Sequence, residues 1–276
     1  MPTTNPARAP AEGLRAISFD FGNTLVPVGR DDLRLVVERT TAAVADRCGP
    51  FDHAAFGVAW AQERERQFAE DVPAMREVDL TQRVARVLAR MRGMPVPPRD
   101  ERWDDFAAAG LSSPAEIAFA VDVYSAAFVE ALRPPPEVGP LLARLAERYR
   151  LAICSNWPLA ATIERFVVAA GWAPHLRAVV VSQRVGTIKP DPRIFRVAET
   201  ELGVEGRAIL HVGDDWAADV VGARRAGWRA AWLRDRPADS PLPTSSPAAN
   251  GLDGLDPVVP DIVLDRLLDL EGALAD

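Results

Sequence analysis

Short apolar segments alternate with helical ones in the second half of this 276-residue chain, and this alternation constrains the fold most strongly. Between 137 and 233 the pattern predicts four strands, each preceded by a helix. Glycines at the predicted helix ends support these boundaries. Strands buried on both faces are near-continuous apolar runs, and such strands form parallel sheets covered by helices. We therefore predict an α/β fold with a doubly wound, Rossmann-like parallel sheet.

The first part of the chain has a different pattern. An apolar run over 14–20 predicts one more strand, which ends in Asp20. From 31 to 133 apolar residues recur at helical spacing without a convincing strand, and Pro134–Pro136 forms a stiff linker. We expect three parts, which are a disordered tail (1–12), a core domain (13–30 and 134–276) and an inserted helical domain (31–133).

Composition excludes several classes of function. The net charge of −7 argues against nucleic acid or an anionic membrane as partner. Two cysteines are too few for a disulfide framework, and no apolar run is long enough to span a membrane. The tail lacks the apolar region of a signal peptide. We expect a cytoplasmic protein, and we expect 235–257, rich in Pro, Ser and Asp, to be a mobile loop.

Polar residues follow the predicted strands where each strand ends. They are Asp20 after the first, Ser155 and Asn156 after the second, Lys189 in the loop after the third, and Asp214 and Asp215, with Asp219 one helical turn later, after the fourth. The C-terminal ends of parallel strands lie at one edge of the sheet, where ligands bind. We expect these side chains to converge there.

Lys189 is the one lysine among 32 basic residues. An ammonium is a compact charge with three rotatable donors, which suits a phosphate or a cluster of carboxylates. Two carboxylates about 4 Å apart repel by roughly 4 kcal/mol at an effective dielectric constant near 20, and up to four would surround Lys189. Either carboxyl pKa values rise or a hard divalent cation binds. An oxygen-only site with room for substrate oxygens suits Mg²⁺.

Four segments resemble, in their order, the motifs of the haloacid dehalogenase (HAD) superfamily of hydrolases, most of which are phosphatases. F-D-F-G-N-T-L-V (19–26) is similar to the first motif and C-S-N (154–156) to the second. V-G-T-I-K-P-D-P-R-I-F (185–195) resembles the lysine motif, and H-V-G-D-D-W-A-A-D-V-V-G-A-R-R-A-G (211–227) the acidic fourth motif. The helical domain occupies the position of the family's cap, between the first two motifs.

The resemblance implies catalytic and metal-binding roles. Asp20 is the expected nucleophile, which forms an aspartyl-phosphate. The Asp20 carboxylate, the Gly22 carbonyl and Asp214 are expected to hold Mg²⁺. Asp219, with Asp215, is expected to complete the metal shell or to orient Lys189.

The resemblance also implies a phosphate site, formed by Ser155, the Asn156 backbone and Lys189. The expected reaction is Mg²⁺-dependent hydrolysis of a small phosphorylated metabolite. The expected protein is a monomer or a homodimer, with no nucleic-acid partner.

One position departs from the family pattern. Family phosphatases usually carry a second aspartate two residues after the nucleophile, as the general acid for the leaving group. Gly22 stands there, and Asn23 is no acid either. Losing a general acid costs roughly 10²–10⁴ in rate. The departure indicates a slow phosphatase, an enzyme for esters with good leaving groups, or another function. His53, in the helical domain, is a candidate replacement acid.

Three alternatives follow from this departure. A non-catalytic or regulatory protein on this fold would not need the acid. A 2-haloacid dehalogenase would need an arginine for halide, and Arg30, Arg34 and Arg39 are available, but those enzymes need no metal and replace the acid at the position of Asp214. Phosphonate-cleaving members use a cap lysine, which the helical domain lacks.

Two tryptophans, Trp157 and Trp216, directly follow motif residues. They could form a wall of a substrate pocket or pack locally.

Overall fold

The structure, a computed structural model, describes residues 12–245 and 258–275. Within these residues one sheet has the strand order β3-β2-β1-β4-β5-β6, and all its pairings are parallel. The strands are β1 (Ala16–Phe19), β2 (Arg150–Ser155), β3 (Leu176–Val181), β4 (Ile209–Gly213), β5 (Arg229–Leu233) and β6 (Ile262–Leu264). The predicted α/β fold with a doubly wound parallel sheet is confirmed.

Strand β1 lies at the centre of the sheet, between β2 and β4. All four of its residues are buried, and they alternate between two faces: Ile17 and Phe19 belong to one hydrophobic cluster and Ala16 to the other. The strand order reverses at β1, and the crevice at such a switch point is where ligands bind in open α/β sheets. Asp20 follows β1 directly at this point.

Between β1 and β2 the chain forms an α-helical insertion. Its helices are α1 (Arg30–Cys48), α2 (His53–Asp71), α3 (Leu80–Met91), α4 (Asp105–Gly110) and α5 (Pro114–Ala131). Helix α5 begins at a capping box in which Ser113 Oγ accepts from the Glu116 backbone N–H at 3.2 Å, and Glu116 Oε2 accepts from the Ser113 N–H at 2.7 Å. The helical insertion lies where the sequence predicts it, and its definition as a separate cap domain stays a prediction.

The remaining helices cover the sheet. They are α6 (Val138–Ala146), α7 (Ala160–Ala169), α8 (Ser182–Val185), α9 (Pro192–Leu202), α10 (Gly222–Arg225) and α11 (Leu270–Ala273). The last helix that the alternating pattern predicts, before the strand ending at 233, is irregular: it opens with a π-helical turn, Trp216–Val221, before α10. π-helical turns are frequent at functional sites, and this one carries Asp219.

An aromatic cluster joins the insertion to the sheet. Phe21, directly after Asp20, packs edge-on against Trp157 and Phe166, with ring centroids 5.9 and 5.1 Å away. Phe128 of α5 lies 4.9 Å from the Trp157 ring centroid. These contacts fix the turn after β1 and hold one helix of the insertion beside the carboxyl end of the sheet.

Two predicted segments lie partly outside the described residues. The N-terminal tail is described only at residue 12, and the loop 235–257 only as far as 245. The described part of that loop contacts the ends of β1 and β4, as shown below. Among the described residues, no helix has the length and apolar character needed to cross a membrane.

Candidate active site

Lys189 connects three strand ends at the carboxyl edge of the sheet. Its Nζ donates to Asp20 Oδ1 at 2.7 Å, to Asp219 Oδ1 at 2.6 Å and to the Cys154 carbonyl at 2.8 Å. The side chain is 2% exposed. Three acceptors therefore engage the three donors of one ammonium, a geometry that a planar guanidinium does not match.

Asn156 holds the backbone of Lys189. Its Oδ1 accepts from the Lys189 N–H at 2.8 Å, and its Nδ2 donates to the Lys189 carbonyl at 3.1 Å. Sequence analysis assigned only the Asn156 backbone to phosphate binding and missed this side-chain role. The paired bonds orient the loop before α9 so that its lysine points to Asp20.

The Asp20, Asp214 and Asp219 carboxylates form a cluster. One oxygen of each lies within 4.8 Å of the others, so the three carboxylates could together hold a metal ion. Burial and neighbouring carboxylates raise the pKa of Asp214 to about 7, and burial raises the pKa of Asp20. For Asp219 burial acts in the same direction, but Lys189 and His211 outweigh it and lower the pKa. The sequence left two outcomes open at this cluster, namely raised carboxyl pKa values and a bound cation. The geometry of the cluster is compatible with both.

His211 is a site residue that sequence analysis did not single out. It is fully buried on β4, with Nε2 3.1 Å from Asp219 Oδ1 and Nδ1 3.1 Å from Ser18 Oγ. Burial lowers the pKa of His211, which favours a neutral ring that donates to Asp219 and accepts from Ser18. Its place four residues before Asp215, within the fourth motif, was the signal available.

Asp215 lies outside the three-carboxylate cluster. Its Oδ1 accepts from the Ala218 N–H at 2.7 Å and from Ser245 Oγ at 2.8 Å, and its Oδ2 accepts from the Ser245 N–H at 2.7 Å. The Asp215 N–H donates to Asp219 Oδ2 at 2.9 Å. Asp215 therefore caps the π-helical turn and orients Asp219 through its backbone.

We call residues 235–245 the covering segment, because they cross the carboxyl edge of the sheet. Arg236 Nη1 lies 2.5 Å from Asp214 Oδ2, and Ser240 Oγ hydrogen-bonds the Asn23 side chain. Pro241 accepts at its carbonyl from Arg64 Nη2 of α2 at 2.6 Å. The segment therefore contacts both the acidic cluster and the helical insertion.

Gly22 lies directly under the covering segment. A Cβ atom there would be 2.7 Å from Leu242 Cδ1 and 3.6 Å from the Trp157 ring. An apolar side chain thus occupies the place that a longer residue at position 22 would need.

A cavity of about 360 Å³ opens between the sheet edge and the insertion. Its lining from the sheet edge includes Asp20, Ser155, Asn156, Lys189 and Asp214, and its lining from the insertion includes Arg64, Glu77, Arg83 and Tyr124. Trp157 also lines it, whereas Trp216 packs edge-on against Trp232 at 5.0 Å.

Other candidates do not line this cavity. His53, Arg30 and Arg34 line a neighbouring cavity of about 460 Å³ in the insertion. Arg39 pairs with Glu130 at 3.1 Å on an exposed surface. The structure therefore does not bring His53 or these arginines to Asp20.

The family model of haloacid dehalogenase-like hydrolases matches residues 14–227. The chain belongs to this family. A second model, of HAD-hydrolase-like proteins, matches residues 187–270. The predicted family and the prediction of a hydrolase are thus confirmed.

Curated relatives of this HAD-like hydrolase include phosphatases. It is 41% identical over 113 residues to a phosphoserine phosphatase of Thermus thermophilus, and this match covers 41% of this chain and 45% of that protein. It is 31% identical over 166 residues to a glyceraldehyde 3-phosphate phosphatase of Methanopyrus kandleri, with 59% and 66% covered. The matches span less than two thirds of either relative.

Solved structures share the fold over nearly the whole chain. A 2-haloacid dehalogenase from Pseudomonas syringae matches with a TM-score of 0.61 at 21% identity, covering 95% of this chain and 98% of that one. A HAD phosphatase from Thermococcus onnurineus matches with a TM-score of 0.55 at 20% identity, covering 95% and 98%. Both kinds of enzyme therefore have this architecture.

The close approach of β4 to Asp219 generates a prediction. A Cβ at Gly213 would lie 2.2 Å from the Asp219 carboxyl carbon, so Gly213→Ala should displace that carboxylate and destabilise the fold by about 1–3 kcal/mol in urea unfolding. Gly57→Ala is the matched control, because nothing lies within 4 Å of its added Cβ inside α2, and it should stabilise by about 0.5–1 kcal/mol. Equal effects of the two substitutions would contradict the close packing.

Proposed function

We propose that this HAD-like hydrolase is a Mg²⁺-dependent phosphatase that acts on a small phosphorylated metabolite through Asp20. The observation that carries the proposal is the bridge from Lys189 to Asp20 and Asp219, beside Asp214, at the end of a substrate-sized cavity. The names of the two curated relatives support a phosphatase with a small substrate.

In the proposed reaction an Asp20 carboxylate oxygen attacks phosphorus while the bond to the ester oxygen breaks, which leaves an aspartyl-phosphate that water then hydrolyses. Lys189 orients Asp20 and offers positive charge to the phosphoryl oxygens. Ser155, at the end of β2, supplies a hydroxyl to the same region of the cavity.

The donor set fits Mg²⁺. Asp20, Asp214 and Asp219 provide carboxylate oxygens, and a carboxyl with a pKa of about 7 shows how strongly this cluster resists further negative charge. Asp20 and Asp214 would hold the ion with the Gly22 carbonyl, and Asp219, engaged by Lys189 and His211, would orient the lysine. The ion would supply charge neutralisation for the carboxylates and the phosphoryl group.

The leaving group meets an apolar environment at Gly22, because Leu242 packs there. No acid replaces the missing aspartate at this position in the described residues, and His53 lines the other cavity. We therefore expect faster turnover of esters whose alcohols leave without protonation. The second candidate function is that of a 2-haloacid dehalogenase, because a structural neighbour with this fold is such an enzyme. The third candidate is a non-catalytic protein.

The proposed roles of Asp20 and Lys189 predict how substitutions of these residues change phosphatase turnover. With Mg²⁺ and p-nitrophenyl phosphate, Asp20→Asn should lower kcat/KM to below about a thousandth of the wild-type value. Lys189→Arg should lower it by about 10²–10³-fold. Asp122→Asn, on the surface of α5, is the control and should keep activity. Wild-type turnover by Asp20→Asn would refute the phosphatase, and Asp20-dependent chloride release from 2-chloropropionate would favour the dehalogenase.

The raised pKa of Asp214 predicts a pH dependence of metal binding. Since this pKa is about 7 rather than 3.8, deprotonation of Asp214 costs folding stability as pH rises from about 4 to about 7. Mg²⁺ requires the deprotonated form, so the increase in Tm that it causes should be small at pH 5.5 and larger at pH 8. Asp214→Asn should lose the pH 8 increase, with NaCl of matched ionic strength as control. An equal increase at both pH values would contradict the prediction.

The contact between Gly22 and Leu242 predicts how an acid could be restored. Gly22→Asp alone must displace the Leu242 side chain, so we expect the double variant with Leu242→Ala to gain more. Turnover of alkyl phosphates should rise by up to about 10²–10⁴-fold, and turnover of p-nitrophenyl phosphate by much less. Leu242→Ala alone is the control. Equal gains for both kinds of ester would contradict the missing-acid argument.

A further inference from the structure

Helix α3 carries three arginines on the side that faces α2, and two of them have carboxylate partners there. Arg86 Nη1 lies 3.1 Å from Glu70 Oε2, and Arg90 Nη1 lies 2.8 Å from Glu63 Oε1. Buried guanidinium groups need such partners, because an unpaired buried charge is strongly unfavourable. These two arginines serve the packing of α3 against α2.

The third arginine of α3, Arg83, has a different environment. It is 3% exposed, and its Nε donates to the neutral side chain of Gln67 at 2.9 Å. Its guanidinium carbon lies 5.7 Å from the centre of the Trp60 ring. Among the described residues no carboxylate forms an ion pair with Arg83. Burial lowers its pKa to about 10, so the group still carries its charge at neutral pH.

Arg83 faces the cavity that contains Asp20, and a second arginine of the insertion lies beside it there. Arg64 lines the same cavity, donates to the Pro241 carbonyl and, within the described part of the chain, also forms no ion pair. Arg86 and Arg90 do not line it. Of the arginines that line this cavity in the described residues, Arg236 pairs with Asp214, whereas Arg64 and Arg83 form no ion pair and are available to a ligand.

Glu77 is the acidic group that the insertion contributes to the cavity, and its carboxylate is already engaged. Its Oε2 accepts from Ser182 Oγ, and its Oε1 accepts from the Val78 N–H at 2.9 Å. Glu77 therefore stabilises the contact with the sheet. It forms no ion pair with Arg83, although the charges of the two groups attract each other. The negative charge of Glu77 repels a second phosphate dianion more strongly than a singly charged carboxylate, so a carboxylate is the anion that better fits Arg83.

We propose that Arg83 is a specificity-determining residue that binds a carboxylate of the substrate while the phosphoryl group lies at Asp20 and Lys189. The inference rests on the proposed function and names its substrate class, which is a small phosphorylated carboxylic acid. Arg64 lies on the same wall and adds positive charge. The substrate carboxylate supplies the partner that Gln67 cannot, and the planar fork of Arg83 suits it.

Two probes isolate the carboxylate. In 3-phosphoglycerate and glycerol 3-phosphate the phosphate sits on the same three-carbon chain, and the far carbon is a carboxylate in one and a hydroxymethyl group in the other. We expect wild-type kcat/KM to favour 3-phosphoglycerate by about 10- to 100-fold, the range for a hydrogen bond to a charged group. In Arg83→Gln the ratio should fall to near one, mainly through a higher KM for 3-phosphoglycerate.

Arg90→Gln is the matched control, since it makes the same exchange on the same helix away from the cavity. It leaves Glu63, which is 1% exposed, without its partner, so it should lower Tm and keep the substrate ratio. Arg83→Gln should leave Tm unchanged or raise it, because it removes a buried charge that forms no ion pair. A fall in Tm as large as that of Arg90→Gln would assign Arg83 a structural role and overturn the proposal.

Binding to Asp20→Asn protein separates this proposal from the proposed function. By calorimetry, 3-phosphoglycerate should bind Asp20→Asn more tightly than glycerol 3-phosphate does, and adding Arg83→Gln should remove the difference. Equal binding of both probes, or equal weakening of both by Arg83→Gln, would overturn the carboxylate site while Asp20-dependent turnover of p-nitrophenyl phosphate could still stand. Selective binding by Asp20→Asn, together with no turnover of either phosphate ester by the wild-type protein, would support the site and refute the phosphatase.

Discussion

The Lys189 ammonium is the interaction on which the carboxyl edge of the sheet depends. It links the ends of β1 and β2 to the π-helical turn after β4, and its positive charge allows Asp20 and Asp219 to lie close together in a buried position. Burial opposes the charged form of Lys189, but the two carboxylates outweigh it and raise its pKa. A buried group of this kind tolerates no larger or neutral replacement without leaving carboxylates unpaired.

The surroundings of this bridge divide into two electrostatic regions. At the sheet edge, burial, reinforced by neighbouring carboxylates, raises the pKa values of Asp214 and Asp20 despite the positive charges of Lys189 and Arg236. On the wall formed by the insertion, Arg64 and Arg83 carry positive charge without carboxylate partners among the described residues. The proposed cation site at one end of this cavity and the proposed anion site on its wall would suit a substrate with negative groups at two positions.

Much of the core was predictable because its signals are local. The alternation of apolar strands with helices ending near glycine yields the sheet, and polar residues at the strand ends locate its carboxyl edge. The family motifs supplied the expected roles, and the geometry accommodates them. The side-chain role of Asn156, the partnership of His211 with Asp219 and the position of Asp215 were missed, because hydrogen-bond partners far apart in sequence leave no local pattern.

The sequence by itself determined the fold class, the family and the loss of an acid at position 22, since each depends on residue type and order along the chain. The tertiary structure decided what surrounds those residues. It placed Leu242 over Gly22, Arg236 against Asp214 and Arg83 beside the cavity without a carboxylate partner. The sequence contains 31 arginines, and residue type alone cannot distinguish an arginine that pairs with a carboxylate from one that does not. That distinction depends on packing between α2 and α3, which fixes the distance from each guanidinium to the nearest carboxylate.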